Sequence, residues 1–234
     1  MKKIILFVLC AALGSFVLSG CSDKGEPFEK KSYTPDTLIK EVNIDVRDRK
    51  IEVSLSKDEQ VHIDYSENGK EYYDISVSNE NVLTVTSAEN KEWTDYIGGK
   101  PSVGERKILL QVPNALLETL TLSTTNEDIS LLALSVNGSV SISANGGNIM
   151  FGNLEVENSL TLTVKNGDIS GALVGNYEDF SIQTAIKKCE SNLPGNKDSG
   201  EKTLNVSCNN GNINIEFVKE SEKLKHEEQK AGTF

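Results

Sequence analysis

The sequence predicts an all-β chain coiled into a β-solenoid with rungs of about 20 residues. Three observations carry this. Five segments of similar sequence follow one another between Leu120 and Phe217. Within each, apolar and polar residues alternate, so one strand face is buried and the other wet. Most are followed by an Asn- or Gly-rich corner and one more apolar position.

The copies align residue by residue. Leu120-Thr-Leu-Ser-Thr-Thr-Asn-Glu-Asp-Ile129, Val140-Ser-Ile-Ser-Ala-Asn-Gly-Gly-Asn-Ile149 and Leu160-Thr-Leu-Thr-Val-Lys-Asn-Gly-Asp-Ile169 follow at an offset of 20. A fourth copy starts at Phe180 and ends at Cys189, and a fifth runs from Leu204 to Ile213. Asn and Gly at the corners tolerate the positive φ of a sharp bend. Leu134/Val136, Leu154/Val156 and Val174 supply a third side. Stacked at ~4.8 Å, such rungs pile like side chains on like. A β-sandwich is the alternative, but it does not require the same corner at every twentieth residue.

Upstream, Ile51/Val53/Leu55, Val61/Ile63/Tyr65, Ile75/Val77 and Leu83/Val85 keep the period of two without the strict repeat, and Ile108/Leu110/Val112 closes this section. They read as atypical first rungs and a cap, because the end of a solenoid must be covered. The domain is therefore expected over 41–218, after a flexible linker at 21–40. A tail at 219–234 carries four Lys and four Glu.

The start of the chain reads as an address. Lys2 and Lys3 precede an almost wholly apolar run from Ile4 to Leu18, shorter than a membrane span of ~20 residues but suited to a secretory signal. It ends in Leu18-Ser-Gly-Cys21, which resembles a bacterial lipobox. That resemblance implies removal of residues 1–20 and acylation of Cys21. Two or more acyl chains at ~0.8 kcal/mol per buried CH₂ make a lasting anchor. The mature protein would then sit outside the cytoplasm, membrane-bound, in the cell envelope.

Composition narrows the chemistry. The 234 residues, length for one or two domains, carry a net charge of −11. An acidic chain without a basic block is a poor nucleic-acid binder. There are two His, His62 and His226, too few for a His-paired nucleophile or a multi-His zinc site. No carboxylate pair stands out as a glycosidase couple. The sequence thus predicts a non-enzyme without cofactor or metal.

Several segments, in their order, resemble a bacterial domain of unknown function called "putative adhesin". They are Lys107-Ile-Leu-Leu-Gln-Val-Pro113, the Asn-Gly-Asp-Ile copies, Gly175-Asn-Tyr-Glu-Asp-Phe180 and Glu201-Lys-Thr-Leu-Asn-Val-Ser-Cys-Asn-Asn-Gly-Asn-Ile-Asn-Ile215. The similarity spans roughly residues 40–218 and implies a right-handed β-solenoid at the cell envelope, often lipid-anchored. It carries over no catalytic residue. The fourth copy departs from the pattern, with Lys187-Lys188-Cys189 where the corner and Ile belong.

Candidate sites follow. Asp128, Asn148, Asp168 and Asn212 share one corner position. A calcium ladder would need six to eight oxygens, whereas hydrogen bonds to corner amides need only one each. Cys189 and Cys208 both face the core, so they are either a disulfide or two buried thiols. Trp93 and Tyr96, near Tyr72 and Tyr73, are either a binding loop or an apolar plug over the first rung. His62 reads as a strand-surface imidazole. Partners implied are the membrane, through Cys21, and an envelope glycan or protein held by the Ser/Thr rows or the Trp93 loop. A carbohydrate-active enzyme and an accessory of envelope-stress signalling are the competing functions.

Overall fold

A computed structural model describes residues 26–96 and 104–219. Residues 1–25, 97–103 and 220–234 lie outside the described residues, and with them the expected signal segment, Cys21, most of the expected tail and His226. In chain order the strands are β1 (Glu29–Tyr33), β2 (Glu41–Asp45), β3 (Lys50–Leu55), β4 (His62–Glu67), β5 (Glu71–Val77) and β6 (Val82–Glu89). Next come β7 (Lys107–Val112), β8 (Thr119–Thr124), β9 (Ile129–Leu131), β10 (Leu134–Val136), β11 (Ser139–Gly146) and β12 (Ile149–Val156). The last are β13 (Ser159–Asn166), β14 (Ile169–Val174), β15 (Phe180–Ser191), β16 (Asn196–Lys197) and β17 (Lys202–Val218). The fold is all-β, with every strand joined into one sheet.

The repeat becomes parallel, in-register pairing. β8, β11 and β13 stack with Leu120, Val140 and Leu160 opposite one another. Past the corner, β9, β12 and β14 align Ile129, Ile149 and Ile169. β10 lies on the second half of β12, pairing Leu134 with Leu154. The file extends in both directions, to Ile51 on β3 and Ile213 on β17. All five isoleucines are buried. A fully buried Ile contributes about 1.5–3 kcal/mol over an exposed one. A slip of one residue would turn each strand's apolar row to water, so burial fixes the register.

The chain does not stack in sequence order. β17 lies directly on β13 and β14, pairing Leu160 with Leu204 and Ile169 with Ile213. β15 lies on the far side of β17, pairing Ile182 with Leu204 and Ile186 with Cys208. The fifth copy is thus inserted between the third and the fourth. The reason is visible in the register: β15 places Ser191 opposite Ile213, so it cannot continue the isoleucine file. A copy without that apolar residue fits only at the end. β16 pairs antiparallel with part of its free edge.

The other end is closed by reversal. β6 and β7 add parallel rows below β2 and β3. β5 then pairs antiparallel with β6, and β4 with β7. β1 pairs antiparallel with β4, so part of the expected linker is an edge strand. Its Glu29, Lys30 and Lys31 are exposed, and charges on an edge discourage pairing with other chains.

The corners depend on glycine. Gly167 has φ +151° and Gly211 φ +147°. A Cβ on Gly167 would lie 2.1 Å from the Gly147 carbonyl oxygen, and one on Gly211 1.9 Å from that of Gly167. Each glycine lets the neighbouring backbone seat against its Cα. Gly167→Ala should lower the unfolding free energy by about 2–3 kcal/mol in a denaturant titration. Gly195→Ala, where a Cβ meets nothing within 4 Å, should change it little.

Candidate functional site

The shared corner position forms a hydrogen-bond ladder. The Asn148 amide donates to Asp128 Oδ1 (2.7 Å), the Asp168 amide to Asn148 Oδ1 (2.9 Å) and the Asn212 amide to Asp168 Oδ1 (2.8 Å). Each side chain thus satisfies an amide that the turning backbone would otherwise leave open. Asp128 and Asp168 are separated by the Asn148 rung, so the arrangement joins neighbours rather than gathering carboxylates. Among the described residues no group of three or more His, Cys, Asp or Glu is placed to hold a metal ion.

A second polar cluster was not singled out from sequence. Where most of the repeated copies turn through Asn or Gly, the corner between β2 and β3 turns through Val46-Arg-Asp-Arg-Lys50. Arg49 is 4% exposed, and its Nη2 donates to Glu71 Oε2 at 2.5 Å. Its Nε donates to Tyr73 Oη at 2.7 Å, and its Nη1 to the carbonyls of Arg47 and Asp48. Lys91 lies 2.7 Å from the other Glu71 oxygen. Arg106, also buried, reaches the Asp48 carbonyl and Glu127. These contacts fasten the β5–β6 hairpin to the first corner. Burial works against the Glu71 charge, but Lys91 and Arg49 outweigh it and hold its carboxyl below the ordinary 4.5. Burial likewise opposes the Arg49 charge, yet Tyr73 and Glu71 raise its pKa, and burial pushes the Tyr73 hydroxyl up. The signal was present as charged residues at an expected corner, but its partners lie 22 and 24 positions away.

Cys189 and Cys208 are disulfide-bonded with Cα atoms 6.3 Å apart. Cys208 stands in file with Thr124, Ala144 and Val164. Cys189 pairs by backbone with Gly211, so it does not occupy the isoleucine file. The bond ties the terminal copy β15 to the inserted β17.

Trp93 opens a 3-10 turn ending at Tyr96, and it is 75% exposed. It does not plug the first rung. Tyr73 is buried and packs edge-on against Tyr65. His62 sits on β4, with Nδ1 hydrogen-bonded to Thr34 and Nε2 to Asp58.

A continuous polar surface is formed by the outer side of β8, β11, β13 and β17. Its outward positions are Thr119/Thr121/Ser123, Ser139/Ser141/Ser143, Ser159/Thr161/Thr163 and Thr203/Asn205/Ser207, all half-buried. Near β15 and β16 this surface dips into a trough of about 330 Å³. A cleft of about 460 Å³ lies at the opposite end, between Glu26, Glu29, Lys31, Glu67 and Tyr72.

These features define an all-β protein of stacked strand copies with one broad polar face. The chain belongs to the family described as Toastrack DUF4097, which matches residues 39–225. A crystal structure of a "putative cell adhesion protein" from Clostridium sporogenes is similar at TM-score 0.56 and 12% identity, over 82% of this chain and 100% of that one. A "putative adhesin" from Parabacteroides distasonis matches at TM-score 0.33 and 11% identity, over 82% of this chain and 98% of that one. Another, from Bacteroides fragilis, matches at TM-score 0.30 and 12% identity, over 83% and 98%. The first likeness is one of fold. Comparison with curated proteins gives no match. No helix among the described residues is long and apolar enough to cross a membrane.

Two outcomes test this description. Glu71→Gln removes the buried countercharge of Arg49 and should cost about 3 kcal/mol of stability. Because the Glu71 pKa is lowered by folding, its contribution is complete above 4.5 and is lost as pH falls through the folded value. The wild-type protein should therefore lose stability below about pH 4.5, and the variant should lose less over that range. Separately, Cys189→Ser with Cys208→Ser, opening a 19-residue separation, should cost about 3 kcal/mol, read by thermal or denaturant unfolding.

Proposed function

We propose that the protein is a non-catalytic lipoprotein of the cell envelope. Residues 1–20 are removed, acylated Cys21 holds the chain to the membrane, and a right-handed β-solenoid with ~20-residue rungs presents a surface for binding or scaffolding. The observation that carries the binding role is the polar face: four parallel strands offer the same side-chain types in register, over and over. The Leu18-Ser-Gly-Cys21 run supports the location. Family membership and the likeness in fold to the "putative cell adhesion protein" of Clostridium sporogenes support the same reading.

Catalysis finds little support in the residues. The regular carboxylates, Asp128 and Asp168, are engaged with corner amides. The partner is an envelope glycan or protein. The exposed Trp93 adds an anchor, since a Trp loses little freedom on binding and buries much area. Residues 219–234 act as a charged tail.

Cys21→Ser should abolish metabolic labelling with palmitate and release the protein from the membrane fraction. Continued labelling and sedimentation with membranes would rule the anchor out. Trp93→Ala should weaken capture of envelope material from intact cells at least tenfold; undiminished capture would remove the Trp93 loop as a contact.

A further inference from the structure

We infer that the trough between β13, β17, β15 and β16 is a subsite for a neutral, hydroxyl-rich polymer, an uncharged glycan chain. The inference rests on the binding role proposed above and gives it a place and a ligand class. The trough is lined by Thr161 and Thr163 on β13, Asn205 and Ser207 on β17, Gln183 on β15 and Asn196 on β16. None of these six side chains makes a hydrogen bond within the described residues. They offer hydroxyls and amides, which both donate and accept. A sugar hydroxyl has the same dual capacity.

Charge excludes the other classes. A quarter of the chain is charged, yet the twelve positions named above carry no charge; Lys165, the next outward residue of β13, is exposed at their border, and Glu41 and Asp45 of β2 continue the rows beyond β8. A polyanion would need cations, whereas the residues lining the trough are all neutral, and it would meet a protein of net charge −11. A protein partner would need an apolar or Arg anchor, and the face has none. A lipid surface would strip water from many hydroxyls without replacing their hydrogen bonds.

The geometry adds a direction and a wall. Asn205 and Thr161 continue a file through Ser141 and Thr121, and Ser207 and Thr163 continue one through Ser143 and Ser123. The files cross the strands at ~4.8 Å steps, so a repeating ligand meets equivalent groups along its length. Beside the last rung stands β16, fixed from both sides. Lys197 Nζ donates to the carbonyls of Glu178, Phe180 and Ser199 (3.4, 2.8 and 2.7 Å). Thr184 Oγ1 donates to the Pro194 carbonyl at 2.9 Å. Asn196 is thereby held at the rim of the trough, opposite Gln183.

The test uses the full chain on immobilised neutral glucan, mannan and xylan, with polygalacturonate and dextran sulfate as charged arms. Retention is expected on at least one neutral polymer and on neither charged one. Gln183→Ala with Asn205→Ala should weaken it at least tenfold, and so should Thr163→Glu, with an unchanged melting temperature. Should the Thr163 variant melt early, Asn196→Ala, at an exposed rim position, gives the same readout. Lys30→Ala, on the exposed edge strand β1 away from the trough, should leave this retention unchanged. Retention by charged polymers alone, or full retention by the trough variants, overturns the inference. If Trp93→Ala abolishes capture of envelope material while the trough variants do not, the trough is wrong and the binding role stands. If the wild-type chain captures neither these polymers nor envelope material, both fall.

Discussion

The structure depends on backbone pairing between copies of one short pattern, each laid parallel and in register on the next. That pairing makes one copy's inward residues the floor for another's, so Ile51, Ile129, Ile149, Ile169 and Ile213 bury one another. No single row encloses a core by itself. The constraint also explains the corners: with rows this close, the chain must turn where a side chain would strike the carbonyl of the row beside it, as at Gly167 and Gly211.

A stack of this kind has two ends, and the protein closes them by different means. At one, the chain reverses direction through β4 and β5 and adds the charged edge strand β1. Ions hold that cap in place: Arg49 is buried only because Glu71, Tyr73 and two carbonyls take up its donors. At the other end, the irregular copy β15 lies outermost, joined to β17 through Cys189 and Cys208. Asn192 finishes the second side there. Its side-chain amide donates to the Ile215 carbonyl and its oxygen accepts from the Ile215 amide, standing in for a strand that is absent.

Much of this was legible in the sequence, and the limits have physical causes. Alternation and the recurring corner specify strands, inward residues and register, because each is a local consequence of what can be buried. The ladder through Asp128, Asn148, Asp168 and Asn212 follows from the same spacing. The order of the copies is different. Similar copies pair about equally well in any order, so succession along the chain does not decide succession in space. Only the missing isoleucine of the fourth copy hints that it belongs at an end. Strand β1 carries no periodic signal, since both its faces are largely exposed. The Arg49 cluster joins residues from separate strands, and Trp93 gives no local sign of which way it faces. The trough arises where β16 meets a face laid down by others, and no single segment encodes it.

Function builds on this regularity. A repeated row makes the inside uniform, and it makes the outside uniform as well, presenting the same hydroxyls at the same interval. The most direct measurement of the stacking is cross-linking by paired cysteines on that outer face. Thr163 is opposite Ser207 on β17, whereas Gln183, its counterpart in sequence order, lies on β15 one strand further out and two residues along, opposite Asn205. Adjacent strands lie ~4.8 Å apart and alternate ones ~10 Å, and only the former fits a disulfide. The structure requires that Thr163→Cys with Ser207→Cys oxidise readily, as mapped by mass spectrometry, while Thr163→Cys with Gln183→Cys does not. The opposite pattern would mean that the copies stack in sequence order, and the architecture described here would be wrong.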